Sequence, residues 1–523
     1  MKTEKLILNY QRRGIKLSVS DNKLHFSAPQ NILTDEDKDI LKKNKKEIIK
    51  FLLDHTESEI IVDEEDKYEK FPLTDIQLSY LVGQDNVYKF GGTNCKIYTE
   101  IEYEQIELNK AQYAWEQVIK YNDMLHAVIN QEGTQEILSS YTVPQIVFSD
   151  LSDMENAEVI IAQKRESLTK KQYRVGTWPL FDVEITKLKN KYILHISLDM
   201  LVADFVSINV ILNEFEEVYY NGKLSFKQQL SFRDIVLYKE SLKKTVNGKK
   251  KYEEDKKYWE KRIPRLSEVP EFPVVEQQEK EVLFTQYKFF LESDEYEKLC
   301  DLAKNFQLTP SSLILTAYAE ALRKISKNQS FCIDVTMVDR PPFHPSIDRV
   351  IGDFTTANIL EVEDLDYTNY FEKAKKIQHR LWEDLSHNSF SSKEVLREMG
   401  KRIKKEITVP AVYTSTLGAV KYSNQRKGKI LYTISQTPQV LIDCQVLELE
   451  KGVRLNWDVR LGVFPKGLIE EAFESFRELI YRIIDNNTLD ISLESILPKA
   501  VRKIRCITNN TRKEFETKYP DIV

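Results

Sequence analysis

The sequence predicts an α/β protein of two lobes of similar size behind a small, separate N-terminal unit. Three observations predict it. From Phe71 to about residue 495, short apolar strands alternate with amphipathic helices, as in YILHISLDMLV followed by SINVILNEFEEVYYNG, which ends at Gly222. The stretch Thr56–Lys70 carries Glu57, Glu59, Asp63, Glu64, Glu65, Asp66 and Glu69 with few large apolar residues, so it reads as a solvated linker. The highly charged segment Leu242–Arg265 runs into IPRLSEVPEFP, whose prolines break regular structure and mark a crossover between lobes.

Taken in order, residues 1–54 give helix, hairpin and helix signals. Leu6, Ile7 and Tyr10 fall at helical spacing before Gly14. Ile15, Leu17 and Val19 then alternate with polar residues, Asp21-Asn22 supplies a turn, and Leu24 and Phe26 alternate on the return strand. Thr34 with Asp35, Glu36 and Asp37 forms an N-cap and acidic first turn ahead of Ile40, Leu41, Ile48, Ile49, Leu52 and Leu53 on a Lys-rich helix. The expected division is residues 1–54, a linker 55–70, a first lobe 71–260, a second lobe 261–495, and a segment 496–523 that loses hydrophobic periodicity and reads as a linker towards a downstream domain.

The 523 residues correspond to about three and a half domains and suffice for a sizeable core. With 41% hydrophobic and 30% charged residues the composition is that of a folded globular chain. The net charge of −6 offers no global basic field, which argues against a nucleic-acid partner. No run approaches the roughly 18 apolar residues of a membrane helix, and the start MKTEKLILNYQRRG lacks a signal-peptide core. Cys95, Cys300, Cys332, Cys444 and Cys506 are scattered singly. The expectation is a reduced, cytoplasmic protein without a membrane partner.

The seven histidines contain no HExxH pair and the cysteines form no cluster, so no metal site is expected. Phosphate-binding GxxxxGK[ST], dinucleotide-binding GxGxxG and nucleophile-elbow GxSxG signatures are missing from the sequence. What remains is a set of polar residues at strand ends. In LHISLDMLVADF the apolar context buries Asp199 and Asp204, each of which then needs a partner, whether it holds a loop or moves protons. PAVYTSTLG places Thr414, Ser415 and Thr416 after a short strand, and SQTPQVLIDCQVLELEKGVRLNWDVR places Asp443 at the start of another. If the two are adjacent, a Thr hydroxyl orients a semi-buried carboxylate that serves as base and then acid. The alternative is a strand-end Asp that only accepts backbone hydrogen bonds.

Six segments occur in one order: FPLTDIQLSYLVGQ (71–84), YNDMLHAVINQEGTQ (121–135), DMLVAD (199–204), GDFTTANIL (352–360), PAVYTSTLG (410–418) and SQTPQVLID (435–443). In order and spacing they resemble the heterocyclization (Cy) domain of nonribosomal peptide synthetases, a branch of the condensation-domain superfamily, over about 71–495. Ordinary condensation domains carry HHxxxDG. Laid over this sequence, that motif sets Asp199 on the first His, Met200 on the second, Asp204 on the Asp and Phe205 on the Gly.

The resemblance implies two chloramphenicol-acetyltransferase-like lobes in a V around a central tunnel. It also implies upstream and downstream carrier proteins whose phosphopantetheine arms bring the substrates, with no bound cofactor. The implied activity condenses an acyl or peptidyl thioester with carrier-bound Cys, Ser or Thr and cyclodehydrates the amide to a thiazoline or oxazoline. An amide-forming condensation domain and a non-catalytic carrier-binding scaffold are the competing readings. By resemblance, Asp443 is the cyclodehydration acid/base and Thr414 orients it. Asp199 and Asp204 are structural, with Asp204 paired to Arg340 in MVDRPPFHP. Ser415, Gln439, Phe354, Thr355 and Asn358 line or support the tunnel, and His126, where the family often has Arg, packs or rims it. Asp339 stands where the family commonly has Asn, which leaves its role open: a carboxylate donates a hydrogen bond only when protonated. Residues 1–54 resemble the TubC type of N-terminal docking domain. The resemblance implies a hairpin edge that accepts the C-terminal peptide of a preceding synthase. Twelve Lys and Arg against eight acidic residues give this unit a net +4, so an acidic upstream tail is expected.

Overall fold

The structure, a computed structural model, describes residues 10, 15–20, 23–28, 33–54, 60, 66–226, 230–275, 282–340, 346–364, 369–418, 426–449 and 451–485. The expected first helix (except Tyr10), the Asp21-Asn22 turn, most of the 55–70 linker and the 496–523 segment lie outside the described residues.

In the N-terminal unit, β1 (Lys16–Ser20) pairs antiparallel with β2 (Lys23–Ser27), setting Leu17 opposite Phe26 and Val19 opposite Leu24. Thr34 caps the helix Asp35–Lys43: its hydroxyl accepts from the Asp37 N–H at 3.1 Å, and the Asp37 carboxylate accepts from the Thr34 N–H at 2.8 Å. A further helix, Lys45–Asp54, follows. Tyr10, Ile15, Leu17, Leu41 and Ile48 form the core of the unit.

Beyond it come β3 (Phe71–Pro72), β4 (Lys96–Tyr103), β5 (Ala127–Ile129), β6 (Thr134–Ile137), β7 (Val147–Asp150), β8 (Phe181–Lys187) and β9 (Tyr192–Asp199), interleaved with helices Asp75–Gly83, Leu108–Tyr121, Ala157–Lys170 and Phe205–Asn221. The last of these stops where Gly222 takes a left-handed φ of 77°. The second half supplies β10 (Phe284–Glu292), β11 (Phe331–Val338), β12 (Thr355–Val362), β13 (Ala411–Ser415), β14 (Lys429–Gln436), β15 (Ile442–Leu449) and β16 (Gly452–Arg460). Helices Ser293–Asn305, Pro310–Ile325, Tyr370–Leu385 and Leu468–Asp485 cover one face of the sheet these strands build.

That sheet runs β10-β16-β15-β13-β11-β12, with β13 parallel to both of its neighbours. The other large sheet runs β14-β4-β9-β8-β7. Here the expected lobe division fails for one strand, because β14 lies within 261–495 yet pairs antiparallel with β4 of the first lobe. The physical reason is the β4 edge, which would otherwise present unpaired backbone groups. A strand from the second half therefore completes the first sheet, and it carries Ser435 to the seam between the two sheets.

The Leu242–Arg265 segment forms the helix Val246–Arg262 and a short 3-10 turn through Arg265 before the prolines take over. No helix among the described residues is long and apolar enough to cross a membrane.

Candidate active site

Strand period decides which side chains meet. Along β15 and β16, Cys444, Val446, Leu455 and Trp457 enter the helix-covered core, so their neighbours Asp443, Gln445, Asn456 and Asp458 take the opposite face. Register then lines up Gln286, Asp458, Asp443, Val412 and Asp334 across β10, β16, β15, β13 and β11. Three carboxyl groups thus occupy one row of one face.

Asp443 is buried, and its partners are neutral. Thr414 Oγ1 donates to its Oδ1 at 3.1 Å, while Gln445 Nε2 at 2.8 Å and Ser435 Oγ at 3.3 Å donate to Oδ2. Thr336 Oγ1 in turn donates to Thr414 Oγ1 at 2.7 Å. Loss of hydration pushes the Asp443 carboxyl up to about 6, against the pull of those three donors. A group with that value is ionised in part near neutrality and exchanges a proton readily in either direction.

Asp458 is fully buried. Its Oδ2 accepts from the Ser435 N–H (2.8 Å) and lies 3.1 Å from Ser435 Oγ, and its Oδ1 accepts from Gln286 Nε2 (2.8 Å) and Asn456 Nδ2 (3.0 Å). Burial raises it to about 7, and Asp334 to about 7 as well, in each case with a smaller push from Asp443.

Asp204 sits apart from this row. It caps the helix Phe205–Asn221 and accepts from the Ser207 N–H and Oγ, both at 2.7 Å. Arg340 Nη2 donates to its two oxygens at 2.9 and 3.1 Å, while Nη1 donates to the carbonyls of Ile347 and Val350. The buried pair thereby has compensating charge and hydrogen bonds, which offsets its desolvation. Phe354 buttresses it: its N–H donates to Asp204 Oδ2, its ring lies 4.2 Å from the guanidinium, and it meets Phe232 edge-on at 5.0 Å. Asp199 ends β9, where it accepts from Asn94 Nδ2 and the Leu201 N–H, both at 2.9 Å; burial pushes it up to about 7.

Among the other expected residues, Thr355 starts β12 and donates its N–H to Asp353 Oδ1. Gln439 holds a left-handed φ of 67° in the TPQV loop, where its N–H donates to the Phe90 carbonyl. The same loop seats Pro438 against Gly83, where a Cβ would come within 2.7 Å of the proline ring. Asp339 accepts from Lys239 Nζ at 2.9 Å on a partly exposed edge. His126 packs rather than reaches the row: it stacks on Tyr141 and its Nδ1 meets the Leu138 carbonyl.

Ser415 and Asn358, expected to line or support the tunnel, do not share the face of Asp443. Ser415 follows Thr414 on the same strand and so turns to the other face, in register with Val446. Asn358 pairs with Val335, in line with Tyr413, on the helix-covered side. The residues that sequence reasoning missed are Thr336, Asp334, Ser435, Gln445, Asn456 and Asp458. The signal for several was present in GVRLNWDVR and IDCQVLEL, whose polar residues alternate with apolar ones and so share one face. Among the described residues, no group of three His, Cys, Asp or Glu side chains could hold a metal ion.

Comparison with known proteins gives this geometry a context. Residues 67–503 match the condensation domain family, and residues 4–54 match the TubC N-terminal docking domain. Pyochelin synthetase PchF of Pseudomonas aeruginosa is 27% identical over 494 residues, covering 92% of this chain and 27% of that protein. Phenyloxazoline synthase MbtB of Mycobacterium sp. (strain MCS) is 28% identical over 452 residues, covering 84% and 38%. The chain therefore spans well under half the length of these curated relatives. Among solved structures, the EpoB NRPS cyclization-docking bidomain from Sorangium cellulosum superposes with a TM-score of 0.80 at 27% identity, covering 93% of this chain and 99% of that one. The first condensation domain of the calcium-dependent antibiotic synthetase, at 13% identity and a TM-score of 0.67, shares the fold. The two lobes are chloramphenicol-acetyltransferase-like, as in those structures.

Proposed function

The chain belongs to the condensation domain family, and from that premise we propose that it condenses two carrier-bound substrates and then closes a ring. In the first stage, the amine of a carrier-bound Cys, Ser or Thr attacks an upstream acyl or peptidyl thioester and an amide forms. In the second, the side-chain thiol or hydroxyl attacks the new amide carbonyl and water leaves, giving a thiazoline or oxazoline. Both substrates arrive activated as thioesters on phosphopantetheine arms, so neither stage calls on a nucleotide.

The observation that carries this reading is Asp443: a buried carboxyl oriented by Thr414, with neutral hydrogen-bond partners and a proton affinity raised to about 6. Ring closure needs one group that takes a proton from the nucleophile and returns one to the departing oxygen, and such a carboxyl does both. The first position of DMLVAD points the same way. Asp199 stands where amide-forming relatives place a His, and here it is tied to Asn94 and the Leu201 N–H. The names of the relatives, a phenyloxazoline synthase and a cyclization-docking bidomain among them, support the cyclizing branch.

For residues 1–54, we infer that the β1–β2 edge takes up the C-terminal peptide of a preceding synthase by strand addition, its net +4 selecting an acidic tail. The test of the whole reading is product mass. One carrier is loaded with an acyl group and a second with cysteine, serine or threonine, and the acceptor carrier is weighed after reaction. A ring is about 18 Da lighter than the linear amide because one water has left. Linear amide alone with all three acceptors would make the protein a condensing enzyme, and no transfer at all would make it a scaffold.

A further inference from the structure

One set of contacts goes beyond the Asp443–Thr414 pair. A continuous chain of carboxyl and hydroxyl groups crosses both sheets: Asp458 Oδ2 to Ser435 Oγ at 3.1 Å, Ser435 Oγ to Asp443 Oδ2 at 3.3 Å, Asp443 Oδ1 to Thr414 Oγ1 at 3.1 Å, and Thr414 Oγ1 to Thr336 Oγ1 at 2.7 Å. Four strands of one sheet and one of the other contribute to it. Ser435 has a single hydroxyl proton and lies between two carboxyl groups. Its lone pairs are steered by Gln445 Nε2, which donates to Ser435 Oγ at 2.6 Å and to Asp443 Oδ2 at 2.8 Å. Neither end of this arrangement is needed to orient Asp443, which Thr414 and Gln445 already hold.

We propose that Ser435 and Asp458 are positioning residues of a proton relay, in which Asp458 stores the second proton that ring closure requires and Ser435 passes it to Asp443. This deepens the reading of Asp443 as the cyclodehydration acid/base and rests on it. The proton count gives the reason. In the first step the thiol or hydroxyl loses its proton, its heteroatom bonds to the amide carbon, and the carbonyl oxygen takes up the C=O electron pair and that proton. In the second step the C–O bond breaks with its electron pair on oxygen, the nitrogen loses its proton, and its lone pair forms the C=N bond. The oxygen leaves as water with two protons, one from the nucleophile and one matching that shed by nitrogen. At the second step one face of the intermediate needs an acid while the nitrogen needs a base. A lone Asp443 that has just given up its proton is only a base. With Asp458 protonated, a proton moves from Asp458 to Ser435 Oγ as the hydroxyl proton moves to Asp443. Asp443 protonates the leaving oxygen, and the nitrogen proton then returns along the same path to restore Asp458.

The surroundings of Asp458 fit a store. It is fully buried and hydrogen-bonded to Gln286, Asn456 and Ser435, without an ion pair of its own among the described residues. The charged and titratable groups that interact with it are Asp443 on β15, Lys288 on β10 and Tyr432 on β14, and Arg454 on its own strand interacts in turn with Lys288 and Tyr432. Burial raises its carboxyl to about 7, with a further push from the Asp443 charge, so it takes up a proton near neutrality.

The test supplies the full chain with a carrier protein already bearing N-acetylcysteine, N-acetylserine or N-acetylthreonine as its thioester, so that only ring closure is read. The acceptor that the wild type cyclizes is then used for Ser435→Ala, Ser435→Thr, Asp458→Asn and Asp443→Asn across pH 5.5–9, a range of about three and a half units spanning both carboxyls. The expected result is that Ser435→Ala and Asp458→Asn slow ring closure by at least about tenfold, and that both lose the fall in rate above pH about 7 that the wild type shows as Asp458 gives up its proton. Ser435→Thr, which keeps a hydroxyl on the same strand, restores rate and profile. Ring closure by Ser435→Ala at the wild-type rate, or a slower rate with the alkaline fall unchanged, overturns the relay. Should Asp458→Asn fail to fold, the Ser435→Ala and Ser435→Thr pair decides alone. Undiminished ring closure by Asp443→Asn overturns the reading of Asp443 itself, an outcome distinct from failure of the relay.

Discussion

Asp204 shows how a buried ion pair is accommodated inside a protein. Two hydrogen bonds from Ser207, the Phe354 N–H and the Arg340 guanidinium surround it, and Arg340 turns its other terminal nitrogen to two backbone carbonyls. Removing the carboxylate leaves a buried guanidinium without its counter-charge. Asp204→Ala is therefore expected to lower stability by about 3–5 kcal/mol, read by urea unfolding. Its activity loss should follow the folded fraction, because none of the hydrogen bonds that Asp204 makes among the described residues goes to Asp443, Asp458 or Asp334. That Asp204 needs a partner was legible in the apolar context of DMLVAD, while the choice of Arg340 in MVDRPPFHP was implied by the family resemblance. The partner of Asp339 was not legible. Lys239 lies on the helix Phe232–Lys244, a hundred residues upstream in chain position, and nothing in the local pattern joins the two.

At the scale of the element, the strand period separates neighbours that a motif groups together. PAVYTSTLG reads as one block, yet Thr414 faces Asp443 while Ser415 faces the helices, in register with Val446. Thr414→Val is accordingly expected to slow ring closure by about a hundredfold, whereas Ser415→Ala stays within a few-fold of wild type; single-turnover ring formation measures both. Equal losses would mean the segment acts as a unit. The loop GDFTT makes a second element-scale prediction. A Cβ on Gly352 would lie 2.2 Å from the Phe232 ring, and the Gly352 carbonyl accepts from the Asp204 N–H. Gly352→Ala must push the loop from the Asp204–Arg340 pair and should cost about 1–3 kcal/mol in urea unfolding. The alternation of strands and helices could be read from apolar period, as in YILHISLDMLV followed by SINVILNEFEEVYYNG. The placement of β14 could not, because which strand covers an exposed sheet edge is a long-range matter that local pattern does not encode. With β14 went Ser435, and with Ser435 the link between Asp443 and Asp458.

The whole molecule carries a set of buried carboxyl groups whose proton affinity is raised by burial: Asp443 to about 6, Asp199, Glu214, Asp334 and Asp458 to about 7, and Asp353 to about 8. Each binds a proton more tightly folded than unfolded. Between the unfolded values near 4 and these folded values the native state holds more protons, so stability falls as pH rises. Urea midpoints are expected to decline from pH 5 to pH 8.5, and a midpoint that rises over that range would contradict the burial of these groups. At the same scale, deletion of residues 1–54 is expected to weaken transfer from a separate upstream synthase but not from a carrier fused directly ahead of Phe71, and equal loss in both formats would give the unit a folding role.

The central claim is that Asp443 moves the protons of ring closure. Its most direct test is the intact mass of the acceptor carrier after reaction with Asp443→Asn, a substitution of nearly unchanged volume, beside the wild type. The wild type is expected to yield the species about 18 Da below the linear amide, while the variant accumulates the linear amide itself. Ring product from Asp443→Asn at the wild-type rate would contradict it.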